Sequence, residues 1–300
     1  MKLSQLTQAL NQEFSIHQYG KDPAFSRFIP QVYSPGWESY FEKEFNELFN
    51  GLMIKGAPEV QSVFLAVFPT EEVLERFLQE GQEGDLLFMH HPLVMECGDP
   101  LGVSGKGFVP IDGYYLTEIR RRKLSIYTCH IPMDYHPVLN TSRAIIAELQ
   151  GTITDGFEPD EFGNPLIHIV EIDPISTAGL VKKLKGIFEI PYVDFEGCEI
   201  ESITKIAVVA ACGDKVDWIQ EAEKRGAQAY ISGEIHCHID NNYGQMKYSQ
   251  IMHYVKETSM SLIGVSHSAS EYLVKKTLMK EWFEQAGVQT KLLPQSRWWV

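Results

Sequence analysis

Apolar and polar positions alternate in blocks along this chain, and block length separates strands from helices. From residue 62, "SVFLAVF" is a short continuous apolar run, the mark of a strand buried on both faces. "TEEVLERFLQEG" follows, with apolar residues at helical spacing, a threonine at its start and Gly81 at its end; it predicts an amphipathic helix. "DLLFM" (85–89) is the next strand. A helix near 113–123, the strand "LSIYTC" (124–129) and a helix near 138–150 complete the series. The cadence returns as "KIAVVAA" (205–211), "DKVDWIQEAEKRG" (214–226) and "AQAYIS" (227–232). It ends with "SLIGVS" (261–266) and a long helix, "SEYLVKKTLMKEWFEQAG", closing at Gly287. Alternation of this kind predicts α/β layers with mainly parallel pairing.

The two halves match in element order and length, so the expected fold class is α/β, with two similar lobes facing one another. Residues 1–150 are expected to hold an N-terminal extension and the first lobe. Residues 151–300 are expected to hold a linker, the second lobe and the C-terminal helix. In the extension, "MKLSQLTQALNQEF" sets Leu3, Leu6 and Leu10 on one helix face. The Phe- and Tyr-rich remainder of residues 1–60 is expected to pack on the first lobe.

The strand ends carry the chemistry. "DLLFM" stops at His90 and His91, with Pro92 next, and "LSIYTC" leads to His130, with Asp134 four residues on. "AQAYIS" leads to Gly233, Glu234, His236 and His238, and "SLIGVS" to His267, with Glu271 four residues on. Adjacent strand residues point to opposite faces. His90 and His91 can therefore converge only where the strand has stopped and turned, and Pro92, lacking an N–H, supports that stop. Ligands of open α/β sheets bind just beyond the carboxyl ends of the strands. "HIPMD" and "HSASE" repeat one i, i+4 spacing of imidazole and carboxylate, which share a face on a helical turn. A single such pair is weak, and a lone histidine is more often packing than ligation. Two pairs in corresponding places, beside a His-His pair, point to metal.

Mixed imidazole and carboxylate donors suit Zn, Fe, Mn or Ni better than Ca or Mg. The number of donors points to two divalent ions. No cysteine is required, so an open site is expected rather than a closed zinc knot. His17, His136, His168 and His253 fall away from the strand ends and read as structural. "GVSGKG" (102–107) departs from the P-loop pattern and reads as a lid.

Composition narrows the setting. The 300 residues carry a formal net charge of −14, which argues against general binding to nucleic acid or anionic membrane. The basic run "RRRK" (120–123) suits a helix C-terminus. Five scattered cysteines without a C-x-x-C pair fit a reducing compartment. The chain shows no apolar run near the ~20 residues of a membrane span and no apolar signal core at its start. The expectation is a cytoplasmic protein. The aromatic N-terminal region and the "RWWV" tail (297–300) are expected to hide apolar surface in contacts between copies.

In order along the chain, "NGLMIKG" (50–56), "LLFMHHPL" (86–93), "IYTCHIPMD" (126–134), "YISGEIHCH" (230–238) and "GVSHSASE" (264–271) resemble the motifs of the Nif-three-like proteins. Members of that family often carry the description "GTP cyclohydrolase 1 type 2". The resemblance runs from about residue 48 to 275, and His-His-Pro with the two i, i+4 pairs are its specific parts. It implies two α/β lobes enclosing a dinuclear metal centre, in the cleft at the strand C-terminal ends, and assembly into dimers or toroidal hexamers. Carried over by motif, His90, His91, Asp134, His267 and Glu271 would be the metal ligands. His130, Glu234 and His238 would line the site as the catalytic candidates for moving a proton.

The chain resembles the short form of the family, without a long inserted domain. It departs from the pattern at Ser266, where the family has glycine before the histidine, and it adds His236 and Cys237 near the fourth motif. Residues 1–45 match nothing in the pattern. The implied activity is metal-dependent hydrolysis of a small molecule, with purine-nucleotide ring opening, phosphate-ester cleavage and amide cleavage all compatible. The reading from another class is a non-catalytic metal-binding protein that stores, delivers or senses metal.

Overall fold

Thr70 and Asp112 start the helices of the first half. Thr70 Oγ1 accepts the Val73 N–H at 3.2 Å ahead of helix Glu71–Glu80, and Asp112 accepts the Tyr114 N–H at 2.7 Å ahead of Gly113–Arg121. Each satisfies an otherwise orphaned N–H of a first turn. Arg120 and Arg121 close the second of these helices, so the basic run is a helix end.

In the computed structural model, which describes residues 1–299, the chain divides into two compact units. The first holds Met1–Met95, Phe108–His136 and Lys275–Ser296; the second holds Glu96–Gly107, Pro137–Val274 and residues 297–299. Val300, the last residue of the "RWWV" tail, lies outside the described residues.

The first unit is built on a five-stranded sheet in the order Gly51–Ile54, Ser125–Thr128, Leu86–Met89, Ser62–Leu65, Gln289–Leu292. Only the Gly51–Ile54 edge is antiparallel. Its three middle strands are buried at every residue, as continuous apolar runs in a covered parallel sheet should be. Leu3, Leu6 and Leu10 are buried along helix Leu3–Glu13. Phe25, Trp37, Phe41, Phe45 and Phe49 join Phe64, Leu87 and Ile126 in one core. The N-terminal region therefore packs into the first unit.

The second unit has a six-stranded sheet in the order Thr152–Pro159, Pro165–Ile175, Ile203–Cys212, Ala229–Glu234, Ser261–Gly264, Asp194–Gly197. Its three central strands are parallel and its outer pairings antiparallel. The stretch 151–204, expected to link and extend the lobes, thus supplies three strands of this sheet.

The division also departs from a cut at residue 150. Helix Thr141–Leu149 goes with the second unit, where the Ala210 N–H donates to Ser142 Oγ at 2.9 Å. The expected C-terminal helix of the second lobe is split. Helix His267–Val274 stays in the second unit, while the residues from Lys275 belong to the first, because Gln289–Leu292 pairs in parallel register with Ser62–Leu65. Strand pairing between distant segments, invisible to local pattern, draws these boundaries.

Candidate metal centre

Val67 explains how two adjacent histidines face one point. Its carbonyl accepts the His90 N–H at 3.1 Å and the His91 N–H at 3.0 Å, so the backbone turns just past strand Leu86–Met89 instead of alternating onward. The two ring centroids lie 4.7 Å apart, and they sit 5.2 and 5.0 Å from that of His130. Ligating atoms of the three imidazoles all fall within 4.8 Å of one another. Asp134, on the short helix Ile131–Asp134, brings Oδ1 to 3.3 Å from His90 Nε2 and Oδ2 to 3.9 Å from His130 Nε2. Phe68 stacks on His91 at 4.4 Å and Phe25 meets it edge-on at 5.5 Å, so aromatic walls position these donors.

Behind His130 stands a residue that the sequence reading missed. Asp22 Oδ2 lies 2.7 Å from His130 Nδ1. A carboxylate only accepts, so Nδ1 carries the proton and Nε2 is left as the donor atom on the Asp134 side. The other Asp22 oxygen accepts the Ala24 and Phe25 N–H groups, each at 2.9 Å. Asn50, from the first family-like motif, accepts the His130 N–H at 2.8 Å and donates to Asp22 at 3.5 Å. Burial raises the Asp22 pKa, but His130 and the two amides outweigh it and hold the carboxyl below its ordinary value. The only local signal was an Asp-Pro turn ahead of an aromatic helix. Lys275 was also missed: it is fully buried, with Nζ 2.9 Å from Met133 Sδ and over the Phe88 ring.

The second unit repeats the device. His267 opens helix His267–Val274, and Ser266 before it has φ +85°, the left-handed region that favours glycine. Ser266 Oγ accepts the Ala269 N–H at 3.0 Å and donates to the Trp298 carbonyl, so a helix cap stands against the backbone strain. His267 Nδ1 lies 2.6 Å from Glu234 Oε1, and Nε2 lies 3.1 Å from Glu271 Oε1. A buried carboxylate behind the imidazole and an i+4 carboxylate in front match the order Asp22, His130, Asp134. Glu234 Oε2 has no hydrogen-bond partner among the described residues.

Cys97 and Cys212 place Sγ 3.7 and 3.5 Å from His267 Nδ1. Burial lowers the His267 pKa, but against it stands chiefly Glu271, beside Nε2, and the pKa is raised above its ordinary value. Burial and Glu234 push Cys97 far up and Cys212 up to about 12, so both stay thiols.

His238, expected beside Glu234 as a catalytic candidate, is grouped instead with Asp194 and His236. The segment 102–107, read as a lid, is tied to the His238 backbone with the residues before it: Cys97 O accepts the His238 N–H and Gly105 N–H donates to His238 O, both at 3.1 Å. The histidines read as structural are scattered. His17 and His253 are exposed, His136 lies 3.2 Å from Glu13 O, and His168 is buried in a strand.

Within each unit, then, an imidazole with a pinned Nδ1 turns Nε2 toward a carboxylate. Oriented imidazole nitrogens beside carboxylate oxygens fit a borderline divalent ion such as Zn, Fe, Mn or Ni, whose binding displaces any ring proton.

Residues 42–295 match the family model described as Duf34/NIF3 (NGG1p interacting factor 3). Two similar curated proteins are each named "GTP cyclohydrolase 1 type 2 homolog". That of Pyrococcus abyssi is 25% identical over 251 residues, covering 80% of this chain and 87% of its own. That of Pseudomonas aeruginosa is 22% identical over 226 residues, covering 74% and 79%. Among solved structures, protein ybgI, of unknown function, matches with a TM-score of 0.70 at 19% identity, covering 99% of this chain and all of that one. Reduced HcgD from Methanocaldococcus jannaschii matches with a TM-score of 0.59 at 16% identity, covering 92% and 98%. At these identities the structural likeness is one of fold. Asp22 lies before the family match, and His90, His91, His130, Asp134, Glu234, His267 and Glu271 lie within it.

Proposed function

We propose that this chain, which belongs to the Duf34/NIF3 family, is a metal-dependent hydrolase of a small molecule. Two divalent ions are held by His90, His91, Asp134, His267 and Glu271. The observation that carries the reading is the repeated device: Asp22 behind His130 at 2.7 Å, and Glu234 behind His267 at 2.6 Å. Buried carboxylates in these positions fix tautomer and ring orientation, behind His267 as a ligand and behind His130 as a group placed to move a proton. Bound ions of this class lower the pKa of a water and stabilise developing negative charge.

The chain's own part is to hold and orient. Asp22 keeps the His130 proton on Nδ1, which leaves Nε2 to take or give a proton at the reacting group. Glu234, with Oε1 on His267, has a second oxygen for the same task. The name shared by the curated relatives makes purine-nucleotide ring opening the first reaction to try, with phosphate esters and amides next. Among the described residues no helix is long and apolar enough to cross a membrane. With none of the five cysteines in a disulfide and a net charge of −14, cytoplasmic location and no general nucleic-acid partner belong to the same proposal. So does assembly into a homo-oligomer, a dimer or a hexamer of dimers, which light scattering would refute by finding a monomer at micromolar concentration.

The competing reading, metal storage or delivery without turnover, draws on the separate Asp194, His236 and His238 group. Turnover separates the two. Protein reloaded with Mn, Fe, Zn or Ni is assayed against GTP, phosphate esters and amides beside His91→Asn and Glu271→Gln. The expected result is metal-dependent hydrolysis that both variants lose. Metal retention without turnover on any substrate, or turnover unchanged in both variants, overturns the enzyme reading.

A further inference from the structure

Asp194 and Glu196 stand two residues apart on strand Asp194–Gly197, so their side chains leave the same face. That strand pairs antiparallel with Ser261–Gly264, Asp194 opposite Gly264. His236 and His238, also two apart, follow strand Ala229–Glu234, which pairs along the other side of Ser261–Gly264. Gly264 permits the approach: a Cβ there would lie 3.3 Å from both Asp194 Cβ and Ile235 N. The outcome is that His236 Nε2 and His238 Nε2 each sit 3.4 Å from Asp194 Oδ2, and His236 Nε2 sits 3.6 Å from Glu196 Oε1.

Hydrogen bonding accounts for only part of this convergence: His238 Nε2 and Asp194 Oδ2 are bonded at 3.4 Å, a long contact. Good N–H···O bonds span about 2.7–3.2 Å. His236 is only 3% exposed, and neither of its ring nitrogens has a hydrogen-bond partner among the described residues. Burial of that kind is costly when nothing else engages the ring. Two donors held about 2.0–2.1 Å from a zinc ion at the tetrahedral angle lie about 3.3–3.4 Å from each other, the spacing found here. Imidazoles ligate in neutral form, so two carboxylates balance a divalent charge. Tyr248 covers the pair, its ring 4.7 Å from that of His236 and 5.8 Å from that of His238. The ligating atoms of Asp194, His236 and His238 all lie within 4.8 Å of one another; Cys237 is outside that group, and Glu196 reaches it through its 3.6 Å contact with His236.

We propose that Asp194, His236 and His238 bind a further divalent ion of the zinc class, with Glu196, 3.6 Å from His236, as the candidate fourth donor. The ion would fasten the edge strand Asp194–Gly197 to the segment after Ala229–Glu234, whose backbone already holds the loop 96–107. The site shares no residue with the proposed hydrolase ligands and does not rest on that reading.

Zinc-loaded full-length protein is dialysed against metal-free buffer and its metal content measured beside His236→Asn and Asp194→Asn. In parallel, a His90→Asn/His91→Asn/Glu271→Gln variant is titrated with cobalt(II). Each single variant is expected to carry one zinc ion fewer than wild type, with affinity at that site lowered on the order of a hundredfold or more. The triple variant should still take up one cobalt ion with the strong visible bands of a tetrahedral site, and adding His236→Asn should abolish them. Equal zinc content in wild type and both single variants, or no such bands in the triple variant, overturns the proposal. Zinc content unaffected by the triple substitution counts instead against the hydrolase ligands.

Discussion

His168 should make the second unit acid-labile by a calculable amount. It sits in strand Pro165–Ile175, opposite Gly156 on one neighbour and Val208 on the other, 2% exposed. Neither ring nitrogen has a hydrogen-bond partner among the described residues. Burial, helped by the positive charge of Arg143, lowers its pKa from 6.5 to about 4. The unfolded chain therefore binds this proton first as pH falls. The stabilisation is complete above pH 6.5 and is lost as pH falls through 4. A pKa lowered from 6.5 to about 4 corresponds to roughly 3 kcal/mol, most of which is gone by pH 4.5.

His168→Met removes the titration while keeping the volume filled. At pH 7.5 the variant should match wild type or exceed it by about 1 kcal/mol, because an unsatisfied polar ring has left the core. At pH 4.5 its advantage should grow by most of the roughly 3 kcal/mol. Urea unfolding of both proteins at the two pH values measures this, and the other titrating groups cancel in the difference. Parallel stability-versus-pH curves would refute the reasoning, as would an imidazole resonance of His168 titrating near pH 6.5.

Asp22→Asn keeps the size of the side chain but removes the charge that orients His130. Metal-dependent turnover should fall about 100-fold or more while metal content stays, and unchanged turnover would remove Asp22 from the centre. Ser266→Gly relieves the backbone at φ +85° but loses the cap, whereas Ser266→Ala loses the cap and keeps the strain. The alanine variant should be less stable than the glycine variant by about 1–2 kcal/mol in thermal or chemical unfolding, and the reverse order would contradict that account. Iodoacetamide at pH 8 should label the exposed Cys198 first. Buried Cys97 should react only on unfolding, and the half-buried Cys212 more slowly than Cys198, since both are held as thiols; modification of Cys212 as fast as Cys198, read by peptide mass, would contradict this.

Local pattern determined much of this protein. Continuous apolar runs marked the buried strands, and helical spacing with Thr70 marked the start of a helix. The i, i+4 spacing put Asp134 beside the His130 turn and Glu271 one turn after His267, because a helix repeats its face over that distance. Even the departure at Ser266 was visible, although its cause, a positive φ, was not.

Tertiary structure alone decided which segments share a unit and what stands behind each histidine. Asp22 meets His130 across 108 residues of chain, a contact made by folding the N-terminal aromatic segment onto the first sheet. His238 lies only four residues from Glu234, yet it is drawn to Asp194 by the pairing of Asp194–Gly197 with Ser261–Gly264. Periodicity records which face of one element is buried; it carries no record of which distant element covers that face. Strand order and register supply that information, and they exist only once the sheets have formed.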